Sequence, residues 1–220
     1  MKRIPTAAQE ESLRKLLTGN HLDREQVISV QPPEMRPKIR KFIQVRGNTD
    51  KLFEILLSDL SRAGRLVREN ADDQFLRRMT IRCFAAAVDG IIYGLKQTAL
   101  ASGEFSGRSF GSDELILLKA EAIEPKGKKP PFPTFQKNIK QTFILVAKAY
   151  GISCPTNFGQ DEFKALCDTF TLRNRLMHPK SFMNFCVSDE EKQKCSDAAA
   201  WLHLELNRLF DACHKKLENE

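Results

Sequence analysis

The chain has 220 residues, 41% of them hydrophobic, enough for one substantial core or for a helical domain with an extension. Its 35 Lys and Arg against 28 Asp and Glu leave a net charge of +7, which favours an acidic partner such as nucleic acid, although scattered lysines serve solubility equally well. Met1 to Ser12 lacks the apolar core of a signal peptide, and no run approaches the roughly 18 apolar residues that span a bilayer, so a cytoplasmic protein with no membrane partner is expected.

Thr6 to Thr18 reads as a short helix closed by Gly19-Asn20. The stretch from Glu25 to Gly47 holds Pro32, Pro33 and Pro37 and is expected to be a linker or surface arm. Its second half, Met35 to Arg46, carries five basic residues and no acid, with Phe42 interleaved. Arg40 and Lys41 are therefore candidates for a phosphate backbone. The alternative is an arm that packs Ile39, Phe42 and Val45 on the body.

Asn48 or Thr49 can cap a helix to about Glu69, with Leu52, Phe53, Leu56 and Leu60 on one side. A long helix from Asp72 or Asp73 to about Leu100 follows, with the stripe Ile81, Phe84, Val88, Ile91 or Ile92, and Leu95. Its other side carries Arg78, Arg82, Asp89 and Lys96. Ala101 to Ser112, with Gly103, Gly107 and Gly111, reads as a loop that fits neither a P-loop nor a dinucleotide fingerprint.

A short helix is expected from Ser112-Asp113 to about Ile123. The proline-rich segment 125–133 that follows cannot be regular structure and presents Lys126, Lys128 and Lys129 as further candidates for contacting RNA. Thr134 to Tyr150 is a helix that places Phe135, Ile139, Phe143 and Val146 on its core face and ends at Gly151. Ser188 and Glu191 form a capping box for a last helix to about Leu217, striped by Ala198, Leu202, Leu206, Leu209 and Cys213. No stretch alternates with a period of two for long enough to argue a sheet, so the class is all-α.

Between these two helices, Gln160 or Asp161 opens a helix that contains Thr171-Leu172-Arg173-Asn174-Arg175-Leu176-Met177-His178-Pro179. Its stripe reads Phe163, Leu166, Phe170, then Arg173, then Met177, so a permanently charged guanidinium interrupts an apolar face. Such a placement costs several kcal/mol (roughly) unless an anion or a set of acceptors meets it. Either a partner carboxylate or a ligand phosphate can be that anion, and Asp89 is the candidate carboxylate. Asn174 and His178, four apart, share a second face, and Pro179 puts His178 at the helix end. Arg175 lies off the stripe, as a backbone-phosphate contact or a solvated residue.

Arg173, Asn174 and His178 resemble the Arg, polar residue, short spacer, His signature of the HEPN superfamily, small all-helical proteins that include many metal-independent ribonucleases and toxins. The resemblance covers residues 72 to 217. It implies a HEPN-like antiparallel helical bundle over 71–220, preceded by a helical and basic extension over 1–70 that the family pattern does not reach. It further implies RNA as substrate, no cofactor, a homodimer that brings two motifs together across a twofold axis, and a defence, toxin or stress role with an antitoxin or other regulatory protein as a further partner. A tyrosine found after the motif histidine in toxins silenced by nucleotidylation is here replaced by Pro179-Lys180-Ser181, which puts that form of control in doubt.

The chemistry is consistent with the residue types. A histidine, with an ordinary pKa of about 6.5, can remove the ribose 2′-hydroxyl proton or return one to the leaving oxygen. A guanidinium meets the charge that grows on the non-bridging phosphate oxygens, and an amide orients the ring or the substrate. The products implied by the resemblance are a 2′,3′-cyclic phosphate and a 5′-hydroxyl.

The competing reading is a non-catalytic helical module for nucleic acid or protein, in which the Arg and His merely suit the C-terminal end of a helix. A nucleotide-binding regulator is a third. Cys83, Cys154, Cys167, Cys186, Cys195 and Cys213 form no Cys-x-x-Cys pair and have no zinc-finger histidines, so they read as small hydrophobes with no metal site.

Overall fold

The structure, a computed structural model, describes residues 24–119 and 134–218. The helix expected at Thr6 to Thr18 and the end of the short helix near Ile123 lie outside the described residues. Within them the chain is all-α, with no strand. The helices are α1 (Arg24–Ser29), α2 (Arg36–Glu69), α3 (Gln74–Ser106), α4 (Ser112–Leu118), α5 (Phe135–Tyr150), α6 (Asp161–Met177) and α7 (Asp189–Glu218). A 3-10 turn, Phe182–Phe185, joins α6 to α7.

The bundle is built around α3, which touches α2, α4, α5, α6 and α7. Its buried face carries Ile81, Phe84, Val88, Ile91 and Leu95, all 1% exposed or less, as the sequence stripe requires. Asp73 caps its start, accepting from the N–H groups of Phe75 (2.7 Å) and Leu76 (3.2 Å). It runs past the expected end at Leu100 because Ala101, Ser102 and Gly103 are buried, and stops where Gly107 turns left-handed at φ 70°. The expected loop is thus reduced to residues 107–111.

Residues 25–47 differ from the linker reading. Pro37 falls in the first turn of α2, where no backbone N–H is needed, so it starts a helix instead of preventing one. The helix then passes through Gly47-Asn48 without a break, because Ile39, Phe42, Thr49, Ala63 and Val67 are all buried along its length. Burial of these side chains, about 1.5–3 kcal/mol for a large one, outweighs the roughly 1 kcal/mol that one interior glycine costs.

α2 runs antiparallel to α3. Leu56 lies against Gly90, Phe53 and Thr49 against Gly94, and the Thr80 hydroxyl donates to the Ala63 carbonyl at 3.3 Å. The described part of the expected N-terminal extension therefore packs on the bundle, with Phe53 and Leu60 against its core.

Thr134 and the left-handed Gly151 (φ 69°) bound α5. Its Phe143 meets Phe158 and Trp201, and Phe163 completes the aromatic cluster against Phe158 and Trp201, with centroids 5.3 and 5.0 Å away. The capping box of α7 is present in both directions: the Glu191 N–H donates to Ser188 Oγ at 3.2 Å, and the Ser188 N–H to Glu191 Oε2 at 3.0 Å. All six cysteines are free. Burial pushes the thiols of Cys195 and Cys213 up to about 12, which leaves them as inert apolar filling. No described helix is long and apolar enough to cross a membrane.

Candidate functional site

The C-terminal turn of α6 sits beside the N-terminal half of α3 and the start of α7. Phe163, Leu166 and Phe170 are buried as the stripe requires, but at the end of the helix burial passes to Leu172 and Leu176. Met177 is 47% exposed, and Arg173 lies half-buried at the margin of the packed face. Neighbours of the last turn come from α3, the 3-10 segment and the start of α7, and a stripe in the sequence cannot say which side of the turn they cover.

Arg173 donates from Nη1 to Asn174 Oδ1 at 3.1 Å. Among the described residues no carboxylate forms an ion pair with it, so Asp89, exposed on α3, is not its counter-charge. Asn174 is set against the guanidinium, and its tie to His178 runs through the backbone, from the His178 N–H to the Asn174 carbonyl at 3.0 Å. The His178 ring is exposed at the C-cap of α6, and Pro179 follows it.

The chain beyond His178 is fixed from several directions. Arg175 gives both terminal nitrogens to Glu191, at 2.9 and 3.1 Å, and one of them also to the Cys186 carbonyl at 2.7 Å. The bidentate fork suits a carboxylate, so Arg175 clamps α6 to α7 rather than standing free for a phosphate. Buried Arg77 donates to the Ala71 carbonyl at 2.6 Å, the Val187 carbonyl at 2.9 Å and Asp189 at 2.8 Å. Gln74 exchanges two bonds with the backbone of Val187, at 2.8 and 3.1 Å. The Asn184 amide oxygen accepts from the N–H groups of Lys180 (2.8 Å) and Ser181 (3.1 Å).

Other candidates stand apart from this cluster. Arg40 pairs with Glu25 at 2.9 Å and Lys41 with Glu104 at 2.7 Å, both on the surface. Ile39 and Phe42 beneath them are buried, and Phe42 stacks on Phe105 with centroids 5.8 Å apart. Lys126, Lys128 and Lys129 lie outside the described residues.

Two residues of α3 that the sequence placed only on its polar side reach the motif region. The Arg82 Nη2 donates to the Leu176 carbonyl at 3.3 Å, and the Arg78 Nη1 to the Phe185 carbonyl at 3.2 Å. Their spacing of four on one helix face was a legible signal, but nothing local indicates what that face meets. Apolar surface flanks the motif, with Phe182 80% and Met183 69% exposed.

Among the described residues no group of three or more His, Cys, Asp or Glu side chains is placed to hold a metal ion. No protein-family model, curated protein or solved structure matches the chain.

Proposed function

We propose that the protein is a metal-independent endoribonuclease of the HEPN type, cytoplasmic, acting on RNA in a defence, toxin or stress-response role. The observation that carries this reading is Arg173: half-buried, without a carboxylate among the described residues, and braced by Asn174 one turn before an exposed His178. A guanidinium left without a counter-charge at the edge of a packed face is ready for an anion from outside. In the reaction His178 takes the ribose 2′-hydroxyl proton, the freed oxygen attacks the adjacent phosphorus, and Arg173 meets the charge on the phosphate oxygens. The leaving 5′-oxygen needs a proton donor, which His178 of a second copy would supply. The exposed Met177, Phe182 and Met183 beside the motif support a homodimer with a composite site, since apolar surface of this kind is commonly covered by a partner.

The test is cleavage of labelled RNA in EDTA by wild type, Arg173→Ala and His178→Ala. Cleavage by wild type to a 2′,3′-cyclic phosphate, with each variant reduced at least about 100-fold, is the expected result. Equal binding by all three with no cleavage by any replaces this reading with the non-catalytic module.

A further inference from the structure

The Arg78–Arg82 face of α3 is, we infer, an RNA-phosphate cradle for the same site, with Arg82 holding the phosphate group beside His178 and Arg78 holding the neighbouring one. This rests on the ribonuclease reading and extends it to residues on a different helix. His178 sits at the C-terminal end of α6, and a helix C-terminus carries the negative end of the dipole. A phosphate brought to the histidine therefore meets unfavourable potential, and a single guanidinium at Arg173 has to offset both that and the charge of the substrate. More positive charge is needed at that end, and α3 supplies it.

Arg82 is exposed and reaches the last turn of α6 through one long hydrogen bond, 3.3 Å to the Leu176 carbonyl, two residues before His178. Arg78, one turn earlier on the same face, donates once to the Phe185 carbonyl at 3.2 Å and lies 5.9 Å from the centre of the Phe185 ring. The two arginines thus bracket the segment that carries His178. Among the described residues neither forms an ion pair with a carboxylate, in contrast with Arg77 beside them, which is buried and bound to Asp189. A guanidinium has five N–H donors in a planar fork. A single carbonyl bond orients that fork and leaves most of its donors for a phosphate, which accepts them in pairs.

The plainer role for Arg82 is to satisfy an orphan carbonyl at the end of α6. The two roles separate with Arg82→Gln, whose amide N–H can still reach the Leu176 carbonyl but which carries no charge. Binding of a 2′-O-methyl oligoribonucleotide, which cannot be cleaved, is measured by fluorescence anisotropy over a range of salt concentrations, with thermal melting of each variant alongside. A phosphate contact predicts that Arg82→Gln melts with wild type yet binds about 10-fold to 100-fold more weakly, with a salt slope smaller by about 0.7. Arg78→Gln follows with a smaller loss, and the double variant loses about two contacts. Wild-type affinity and slope in Arg82→Gln overturn the inference and make Arg82 a helix cap. Cleavage of unmodified RNA by wild type, run in parallel, tells the two levels apart. Cleavage together with an unchanged Arg82→Gln sinks this inference and leaves the ribonuclease reading standing. A wild type that neither binds nor cleaves RNA removes both.

Discussion

Arg173 and Arg175 are two positions apart on α6, and a helix turns about 200° between such positions, so the two guanidinia face different surroundings. Arg175 meets Glu191 and the Cys186 carbonyl between α6 and α7; among the described residues, Arg173 meets only its neighbouring amide. Arg77 shows what full internal use looks like, with three hydrogen-bond partners, an ion pair to Asp72 at 3.6 Å and 6% exposure. Removing it strips a bond from the buried Val187 carbonyl and the partner from Asp189, so Arg77→Met is expected to cost about 3 kcal/mol in urea denaturation. Arg175→Met exposes a half-open pair, and about 1 kcal/mol is expected. If the two losses come out equal, burial is not what sets the strength of these clamps. The motif was legible at this scale as residue types and spacing, whereas the partners that distinguish a clamp from a free cation belong to other helices.

At the scale of elements, α2 and α3 show how close packing overrides local punctuation. Prolines and a glycine interrupt the sequence before residue 50, and the turn chemistry they signal is real, since Pro32 to Met35 does form a turn. What decides the helix is the run Ile39, Phe42, Thr49, Ala63 and Val67, spaced by three, seven, fourteen and four so that all fall on one helix face, which is visible only when Gly47 is not taken as an end. The close approach also explains Gly94. A Cβ there would come within 2.7 Å of Phe53 Cε1 and Thr49 Cγ2. Gly94→Ala gains about 1 kcal/mol of helix propensity and loses about 1–3 kcal/mol to overpacking. Because both partners are themselves packed, a net loss in chemical denaturation is expected. A net gain would mean that α2 can move off α3 at little cost.

For the whole molecule, assembly and acid stability are the properties to measure. The exposed Phe182 and Met183 lie beside the motif, and the proposed composite site therefore predicts a dimer in sedimentation velocity that Phe182→Asp converts to monomer, with cleavage falling alongside. A monomeric wild type that still cleaves RNA would remove the composite site.

Acid stability follows from Glu114, which ties α4 to α5. Its bonds from Lys148, followed by the Gly111 N–H, hold the Glu114 carboxyl below its ordinary value of 4.5. A lowered carboxylate stabilises the fold above the unfolded value, and the contribution drains away as pH falls through the folded one. Glu114→Gln is therefore expected to flatten the fall in melting temperature below about pH 4.5 while changing little at low pH itself. An unchanged acid limb would show that this tie does not hold α4 in place.

The amino-acid sequence by itself determined the all-α class, the stripes of α3, α5 and α7, the start of α3 to within Asp72 or Asp73, the ends at Gly151 and Ser188, and the motif at Arg173, Asn174 and His178. Each of these depends on residues within a turn or two of one another, where periodicity and hydrogen-bonding groups act locally. Tertiary structure alone decided that residues 36–69 form one helix, that Arg175 is spent on Glu191, that Asp89 does not answer Arg173, and that Arg78 and Arg82 arrive beside the motif helix. Those outcomes turn on which faces meet across the bundle, and contacts between residues tens of positions apart leave no local trace in the order of the chain.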